Sequence, residues 1–347
     1  MYYIIAHFKN QYFFLIVLLF FLWYTKFTNS QEIHENYMKT LHLTPKNDLQ
    51  NEINSSDAEV IFLSKGVYNQ KIEILRDNIT VIGEGRETKI TFDDYANKIH
   101  ADGKEYNTFR TYTLCVTGNN VRFENFTVEN SNTDPATVGQ CVALSVHGNN
   151  FCAVNMNLIS TQDTLFLSPF PDDLVVRYRG FIPQRQLYRE GRNLHLFKNC
   201  AISGTVDFIF GCSEAYFLNC EIISLKDSRN CGFAAAPAHH LAEESGFTFV
   251  GCDFKCGGAN DGTVYLARPW RDFGKCSFIN CKLDSHINCA LFDKWNDTER
   301  DKSARFNYYG LESANPLTPV PWGRQLTKKQ AEDIINDCTK KFKSLNI

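Results

Sequence analysis

Short runs of alternating apolar and polar residues recur through the middle of the chain, and four of them end in the same way. A phenylalanine stands three positions before a cysteine in Phe197–Cys200, Phe217–Cys220, Phe249–Cys252 and Phe278–Cys281, and successive cysteines are 20, 32 and 29 residues apart. The runs have the two-residue period of β-strands rather than the period of an amphipathic helix. Repeats of this length with variable insertions are typical of solenoids.

The repeats predict an all-β fold, a single-stranded parallel β-helix with short terminal helices. Phenylalanine and cysteine are expected to stack inside it, the cysteines as small buried apolar residues rather than disulfides. We expect the coils over about 60–300, after an N-terminal cap over about 34–60 with a helix near 47–55. A helix beginning at Thr327 should lie back over the coils. No Gly/Ser or Pro-rich linker divides the chain, so 31–347 is predicted to be one domain.

An apolar run from Tyr12 to Tyr24 follows Lys9. It is too short for an ordinary membrane span and suits the core of a signal peptide over 1–30, with an uncleaved signal anchor as the alternative. We therefore expect a secreted, extracellular protein with no membrane contact after cleavage. Four segments match the N-glycosylation pattern, beginning at Asn54, Asn78, Asn125 and Asn296.

Composition narrows the function classes. The 347 residues are 44% hydrophobic with a net charge of −3, which argues against disorder and against nucleic-acid binding. No phosphate-binding or dinucleotide fingerprint occurs, and the histidines lack metal-ligand spacing, so no cofactor and no metal are predicted. The protein is expected to act as a monomer.

Two aspartates lie in segments suited to chemistry. Asp207 is flanked by the apolar side chains of Val206 and Phe208, and Asp163 lies between Gln162 and Thr164. An ionised carboxylate in apolar surroundings needs a partner or a shifted pKa. Two carboxylates in different environments can serve as nucleophile and acid. The alternative for Asp207 is a structural role in a turn.

Three further residues stand where strands begin or end. Gln140 precedes the apolar run Cys141–Leu144, and Arg268 and Trp270 flank a proline after another strand. Taken singly, each has an ordinary explanation: a turn residue, a surface ion pair and a core aromatic.

In combination, these segments resemble the pectin methylesterases. The motifs occur in that family's order over about residues 50–335: Gly66–Ile72, Gly139–Leu144, Gln162–Leu165, Asp207–Gly211 and Arg268–Trp270. A long stretch between Asp163 and Arg185 resembles microbial-type more than plant-type members. The resemblance implies a right-handed parallel β-helix that hydrolyses the methyl esters of pectin, that is, of methylated homogalacturonan.

The resemblance also implies roles for single residues. Asp207 is expected to be the nucleophile that forms an aspartyl acyl-enzyme, and Asp163 the general acid and base. Gln140 and Gln162 would hold the oxyanion, and Arg268 would lie beside the nucleophile. Gln140 and Arg268 would also contact the substrate, together with Trp270 against a sugar and Thr113.

Two other interpretations use the same fold. A pectate lyase of this architecture needs a calcium site and a lone base, and a polygalacturonase needs paired carboxylates spaced for water. A catalytically silent carbohydrate-binding solenoid would be indicated by loss of Asp163 or Asp207. Both aspartates are present, and the two glutamines favour ester chemistry.

Overall fold

The structure is a computed structural model, and it describes residues 39–132, 135–187 and 193–344. The predicted signal segment over 1–30 lies outside the described residues, and so does the start of the expected cap. Among the described residues no helix is long and apolar enough to cross a membrane.

The chain winds as a right-handed parallel β-helix whose strands form three parallel sheets. The strands of the eleven-stranded sheet are β1 (Thr40–Leu43), β2 (Val60–Leu63), β5 (Thr80–Gly83), β8 (Arg122–Glu124), β11 (Phe151–Val154), β14 (Leu194–Lys198), β17 (Glu214–Leu218), β20 (Phe247–Val250), β23 (Lys275–Ile279), β25 (Arg305–Tyr309) and β27 (Arg324–Gln325). The strands of the seven-stranded sheet are β4 (Ile72–Ile74), β7 (Leu114–Val116), β10 (Leu144–Val146), β13 (Leu165–Leu167), β16 (Val206–Gly211), β19 (Gly232–Pro237) and β22 (Val264–Ala267). The strands of the nine-stranded sheet are β3 (Gly66–Asn69), β6 (Thr88–Phe92), β9 (Thr127–Asn130), β12 (Asn157–Ile159), β15 (Ala201–Gly204), β18 (Glu221–Leu225), β21 (Asp253–Gly257), β24 (Lys282–Leu283) and β26 (Glu312–Ser313).

Helices occupy the ends of the solenoid and the loops outside it. They are α1 (Leu49–Ser55), α2 (Pro135–Val138), α3 (Asp172–Arg177), α4 (Gln184–Leu187) and α5 (Lys328–Ser344), with 3₁₀ turns at Thr108–Arg110 and Arg300–Lys302. The Asp48 side chain caps α1 by accepting a hydrogen bond from the Asn51 backbone N–H at 3.1 Å.

The repeated phenylalanines form a continuous ladder inside the helix. Phe197, Phe217, Phe249 and Phe278 occupy the same register on β14, β17, β20 and β23. Their ring centroids are 4.9, 4.5 and 4.9 Å apart, with interplanar angles of 12°, 9° and 1°. Successive coils thus bury the same side of each repeat, and the predicted internal stack is confirmed.

The residues after each phenylalanine turn the corner into the next sheet. Asn199, Asn219 and Asn280 have φ values of 55°, 53° and 52°, a left-handed conformation that asparagine tolerates better than most residues. The cysteine that follows is buried each time, and none of the thirteen cysteines, all in the described residues, forms a disulfide. The repeat cysteines therefore fill the interior, as predicted.

The solenoid is longer than the sequence pattern indicated. Thr40–Leu43 pairs in parallel with β2, and Arg324–Gln325 pairs with β25, so coils replace part of the expected cap and tail. These edge strands have only four and two residues, which is too short for a period to be recognised. The predicted C-terminal helix is confirmed: Thr327 and Gln330 bond each other's backbone N–H groups in a capping box. Cys338 and Phe342 of this helix lie against the eleven-stranded sheet.

The four glycosylation signals differ in accessibility. Asn54 donates its amide to the carbonyls of Gln50 and Glu73, at 2.9 and 2.7 Å, so its nitrogen is occupied internally. Asn78 and Asn296 are exposed, and Asn125 is half-buried. Glycosylation stays a prediction, and it fits the two exposed sites best.

Candidate active site

A cleft of about 480 Å³ lies on the outer face of the seven-stranded sheet. Predicted residues from distant parts of the sequence line it together: Gln140, Gln162, Asp163, Asp207, Arg268 and Trp270. The solenoid brings them together because residues one coil apart become neighbours on adjacent strands.

Strand register places the two aspartates side by side. Leu165 on β13 pairs with Ile209 on β16, and each aspartate precedes its paired residue by two positions. The backbone N–H of Asp163 donates to the Val206 carbonyl at 3.1 Å. Both aspartates adopt left-handed backbone conformations, with φ of 65° for Asp163 and 51° for Asp207. Strained backbone of this kind is common where a side chain must be aimed at a functional site.

A β-bulge in β16 changes the direction of Asp207. Val206 pairs with Phe233, and Ile209 pairs with Ala235. Between these two pairs the chain advances three residues in β16 but only two in β19, so β16 contains one extra residue. Phe208 and Ile209 both enter the core as a result, and Asp207 lines the cleft. A bulge re-aims side chains in this way, and here it presents the carboxylate.

Arg268 holds Asp207 with two hydrogen bonds. Its Nε donates to Oδ1 at 2.8 Å and its Nη2 to Oδ2 at 2.6 Å, a bidentate pair with both side chains nearly buried. The guanidinium carbon lies 3.7 Å from the Phe233 ring centroid and 3.9 Å from that of Trp295. The two aromatic rings keep the cation in place on both sides of its plane.

The two carboxyl groups have different electrostatic surroundings. Burial raises the pKa of Asp163 well above its ordinary value, and the negative charge of Asp207 raises it further. Burial also raises the pKa of Asp207, but the charge and hydrogen bonds of Arg268 oppose that rise. Asp163 is therefore the group that retains a proton, and Asp207 is the one whose ionised form is stabilised.

These directions predict how stability depends on pH. A group whose pKa is higher in the folded than in the unfolded state stabilises the fold at low pH. That stabilisation is lost as the pH rises through the folded-state pKa. Each unit of difference between the two pKa values corresponds to about 1.4 kcal/mol in the free energy of unfolding. Asp163→Asn cannot titrate. We expect its Tm relative to the unmodified protein to rise as pH increases above about 4, the ordinary pKa of aspartate, in a thermal melting series. A pH-independent Tm difference would contradict the raised pKa of Asp163.

The two glutamines enter the cleft from neighbouring loops. Gln140 precedes β10, and Gln162 is the residue just before Asp163. The Cys141 backbone N–H donates to the Gln162 carbonyl at 3.0 Å, which joins the two loops. Side-chain amides of this kind can donate to a developing oxyanion.

Trp270 and Thr113 differ in their access to the cleft. Trp270 is half-buried, lines the cleft, and lies edge-on to Phe210 at 5.6 Å. Thr113 is fully buried, and its hydroxyl donates to the Glu129 carbonyl at 2.9 Å. The structure thus contradicts the predicted substrate contact of Thr113, because no part of the residue is available to a sugar.

Several residues in or beside the cleft were not predicted. Trp295 lines the cleft and covers Arg268, and Arg229 contacts the cleft residue Gln162, donating from Nη1 to its Oε1 at 2.9 Å. Each stands alone in a loop without a repeated pattern, so the sequence held no signal for either. Tyr178 and Arg177 also line the cleft, and both come from the insertion between Asp163 and Arg185.

The insertion forms one wall of the cleft and is tied down at both ends. Asp173 on α3 accepts two hydrogen bonds from Arg271, at 3.0 and 2.6 Å. At the other end Arg185 Nε donates to Glu73 Oε1 at 2.8 Å. The residues between them rest on an apolar cluster that includes Phe109 and Phe170. This wall is therefore a packed part of the fold.

Comparison with known proteins gives one consistent result. The family model described as Pectinesterase matches residues 42–170 and 172–324. Pectinesterase 31 of Arabidopsis thaliana is 30% identical over 287 residues, covering 80% of this chain and 81% of that protein. Pectinesterase QRT1 of the same plant is 28% identical over 292 residues, covering 79% of this chain and 67% of that protein.

Solved structures share the fold. Pectin methylesterase PemA from Erwinia chrysanthemi superposes with a TM-score of 0.71 at 23% identity, covering 86% of this chain and 95% of that one. Pectin methylesterase from carrot superposes with a TM-score of 0.69 at 19% identity, covering 84% and 89%.

Proposed function

The chain belongs to the pectinesterase family, and we propose that it removes the methyl esters of pectin through an acyl-enzyme formed on Asp207. The observation that carries this proposal is the bidentate contact of Arg268 with Asp207 beside a second carboxyl group, Asp163, that keeps its proton. An ionised carboxylate can attack the ester, and a protonated carboxyl group beside it can give a proton to the leaving alcohol.

In the first half-reaction, the Asp207 carboxylate attacks the ester carbonyl carbon. The carbonyl electrons move to oxygen, and N–H donors of Gln140 and Gln162 stabilise that negative charge, each contributing on the order of 3 kcal/mol. When the intermediate collapses, the bond to the methoxy oxygen breaks and Asp163 gives that oxygen its proton. Methanol leaves, and the sugar carboxyl is joined to Asp207 as an anhydride.

In the second half-reaction, the roles of proton donor and acceptor reverse. Asp163, now ionised, takes a proton from water while the water oxygen attacks the sugar carbonyl. The anhydride breaks, Asp207 regains its carboxylate, and the product is a galacturonate with a free carboxyl group. One proton leaves Asp163 and one returns, so the enzyme is restored.

Methanol release from highly methylated pectin tests the proposal directly. We expect methanol in proportion to lost ester, with no new unsaturated sugar ends and no new reducing ends. Unsaturated ends would identify a lyase, and reducing ends a glycosidase. Absence of all three products from the folded protein would favour a silent carbohydrate-binding solenoid.

Three finer assignments are part of the proposal. We propose a microbial-type cleft on the basis of the long insertion between Asp163 and Arg185, although both curated relatives named above are plant proteins. Pectin is a wall polysaccharide, which supports secretion to the cell wall after removal of residues 1–30. We further propose that the protein acts as a monomer, because one coil stack carries all the proposed catalytic groups.

Trp270 is expected to control substrate binding more than chemistry. Its indole lines the same cleft as the proposed nucleophile, where an aromatic face can lie against a sugar ring. For Trp270→Ala we expect KM for methylated galacturonan oligomers to rise about tenfold, a loss of about 1.4 kcal/mol, with kcat changed much less. Initial-rate kinetics at several oligomer concentrations measure both constants.

Trp322 provides the matched control. Its ring contacts Phe292 and Phe306 at 5.8 and 5.6 Å, and it is not among the residues of the cleft. Trp322→Ala should lower Tm and leave KM unchanged. An unchanged KM together with a large drop in Tm for Trp270→Ala would instead make Trp270 a core residue.

A further inference from the structure

Gln162 has a defined amide orientation, set by its contact with Arg229. The Arg229 Nη1 atom lies 2.9 Å from Gln162 Oε1. A guanidinium has only N–H donors, so the atom it contacts must be the amide oxygen. The amide nitrogen of Gln162 is then left free to donate elsewhere.

The position of Gln162 shows which part of the amide remains available to the cleft. Its side chain lines the cleft together with Asp163 and Asp207. Because the amide oxygen accepts from Arg229, the N–H groups are the part left to donate to a group bound in the cleft. The neighbouring carboxyl agrees with this orientation, since a hydrogen bond from the Gln162 side chain lowers the pKa of Asp163 against the larger effects of burial and of Asp207.

Arg229 is itself held in place. Its Nε donates to Asp227 Oδ1 at 2.8 Å and its Nη2 to Oδ2 at 2.6 Å. The Asp227 carboxylate also accepts the Arg229 backbone N–H at 2.8 Å, and its side chain is only 3% exposed. Three of the donors of Arg229 are therefore committed to one buried carboxylate, and the Nη1 atom is aimed at Gln162.

We propose that Arg229, fixed by Asp227, is a positioning residue that keeps the N–H donors of Gln162 directed at the oxyanion. This inference rests on the proposed role of Gln162 in the ester reaction. A freely rotating amide would present its oxygen to the cleft part of the time, and an oxygen repels a developing negative charge. Donors help in the transition state only when they are already aimed at the atom that becomes charged.

A double-mutant cycle tests the proposal. We expect Arg229→Ala to lower kcat for methanol release about tenfold with little change in KM, which is less than the 10²–10³-fold typical for loss of an oxyanion donor. Gln162→Ala should lower kcat further. In the Gln162→Ala background, Arg229→Ala should have almost no additional effect, because the residue it positions is gone.

Other outcomes would show whether the positioning role of Arg229, the oxyanion role of Gln162 or the proposed ester hydrolysis is wrong. If Arg229→Ala lowers kcat equally in both backgrounds, or mainly raises KM, Arg229 acts on the substrate itself and the positioning proposal is wrong. If Gln162→Ala retains full activity, the proposed oxyanion role of Gln162 fails instead. Absence of methanol release by the unmodified protein would remove the proposed function as a whole.

Two further variants test whether a loss of kcat comes from a general loss of structure. Asp227→Asn keeps Arg229 but weakens its anchor, and it should reproduce part of the kcat loss only when Gln162 is present. Arg122→Ala removes an arginine paired with Glu124 on the eleven-stranded sheet, outside the cleft. We expect Arg122→Ala to leave kcat and KM unchanged, and Tm of every variant is measured alongside.

Discussion

Asp207→Asn is expected to reduce methanol release by roughly 10⁴-fold or more, the largest effect of any single substitution in this protein. Asparagine has nearly the same shape and can still accept one hydrogen bond from Arg268, but its amide is not a nucleophile. No acyl-enzyme can form, so both kcat and kcat/KM should fall together. Methanol measured over time with highly methylated pectin gives the rate.

The Asp207→Asn protein is expected to remain folded, with a Tm close to the original value. Neutralising Asp207 removes the desolvation cost that raises its pKa, but it also leaves Arg268 without its counter-charge. The Phe233 and Trp295 rings continue to contact the guanidinium from both sides. These opposing effects largely offset each other.

Asp173→Asn is a matched control for this prediction. Asp173 pairs with Arg271 in the same bidentate geometry, but its side chain is 59% exposed, so the pair contributes little to stability. We expect a change in methanol release of no more than a few-fold. Because asparagine can deamidate to aspartate, Asp207→Ala serves as a second inactive variant. Substantial activity in Asp207→Ala would show that Asp207 is not the attacking group.

Asp163→Asn is expected to reduce turnover of methyl esters by about 10²–10⁴-fold. Asparagine has no carboxyl proton to donate, so methoxide must leave unprotonated or receive a proton from water. A galacturonan ester of a more acidic alcohol, such as trifluoroethanol, does not need this help. Acylation of Asp163→Asn by that ester should therefore be nearly normal, whereas deacylation should remain slow because no base activates water.

The expected readout for Asp163→Asn is a burst of alcohol equal in amount to the enzyme, followed by slow turnover. Rapid-quench measurement with the activated ester resolves the burst, and Asp207→Asn should show none with either substrate. Methyl-ester turnover by Asp163→Asn at the original rate would contradict the acid–base role. A slow steady rate without a burst would place the defect of this variant in acylation rather than in deacylation.

Much of the fold was predictable because its signal is local and repeated. Alternation of apolar residues defines the inner and outer side of each strand, and the recurring Phe-x-x-Cys segment, with asparagine or glycine before the cysteine, marks the same corner on successive coils. The stacked rings of Phe197, Phe217, Phe249 and Phe278 follow directly from that recurrence. The ends of the solenoid were not predicted, since β1 and β27 obtain their stability from pairing with neighbouring strands.

The candidate site was predictable in its members but not in its geometry. Asp163, Asp207, Gln162 and Arg268 stand in distinctive segments, and all four line the cleft. Thr113 was wrongly included because a threonine near a strand gives no sign of what covers it. Thr113 is fully buried in the fold, and its hydroxyl donates to the carbonyl of Glu129, sixteen residues further along the chain on β9.

By itself, the sequence determined the repeated coil, its aromatic interior, the C-terminal helix and the chemical identity of the proposed catalytic groups. Only the tertiary structure decided how those groups meet. The register between β13 and β16 brings two aspartates 44 residues apart into neighbouring positions, and a single extra residue in β16 turns Asp207 outward. The contacts of Arg229 and Trp295 arise in the same way, because stacking of coils makes neighbours of loop residues that share no pattern along the chain.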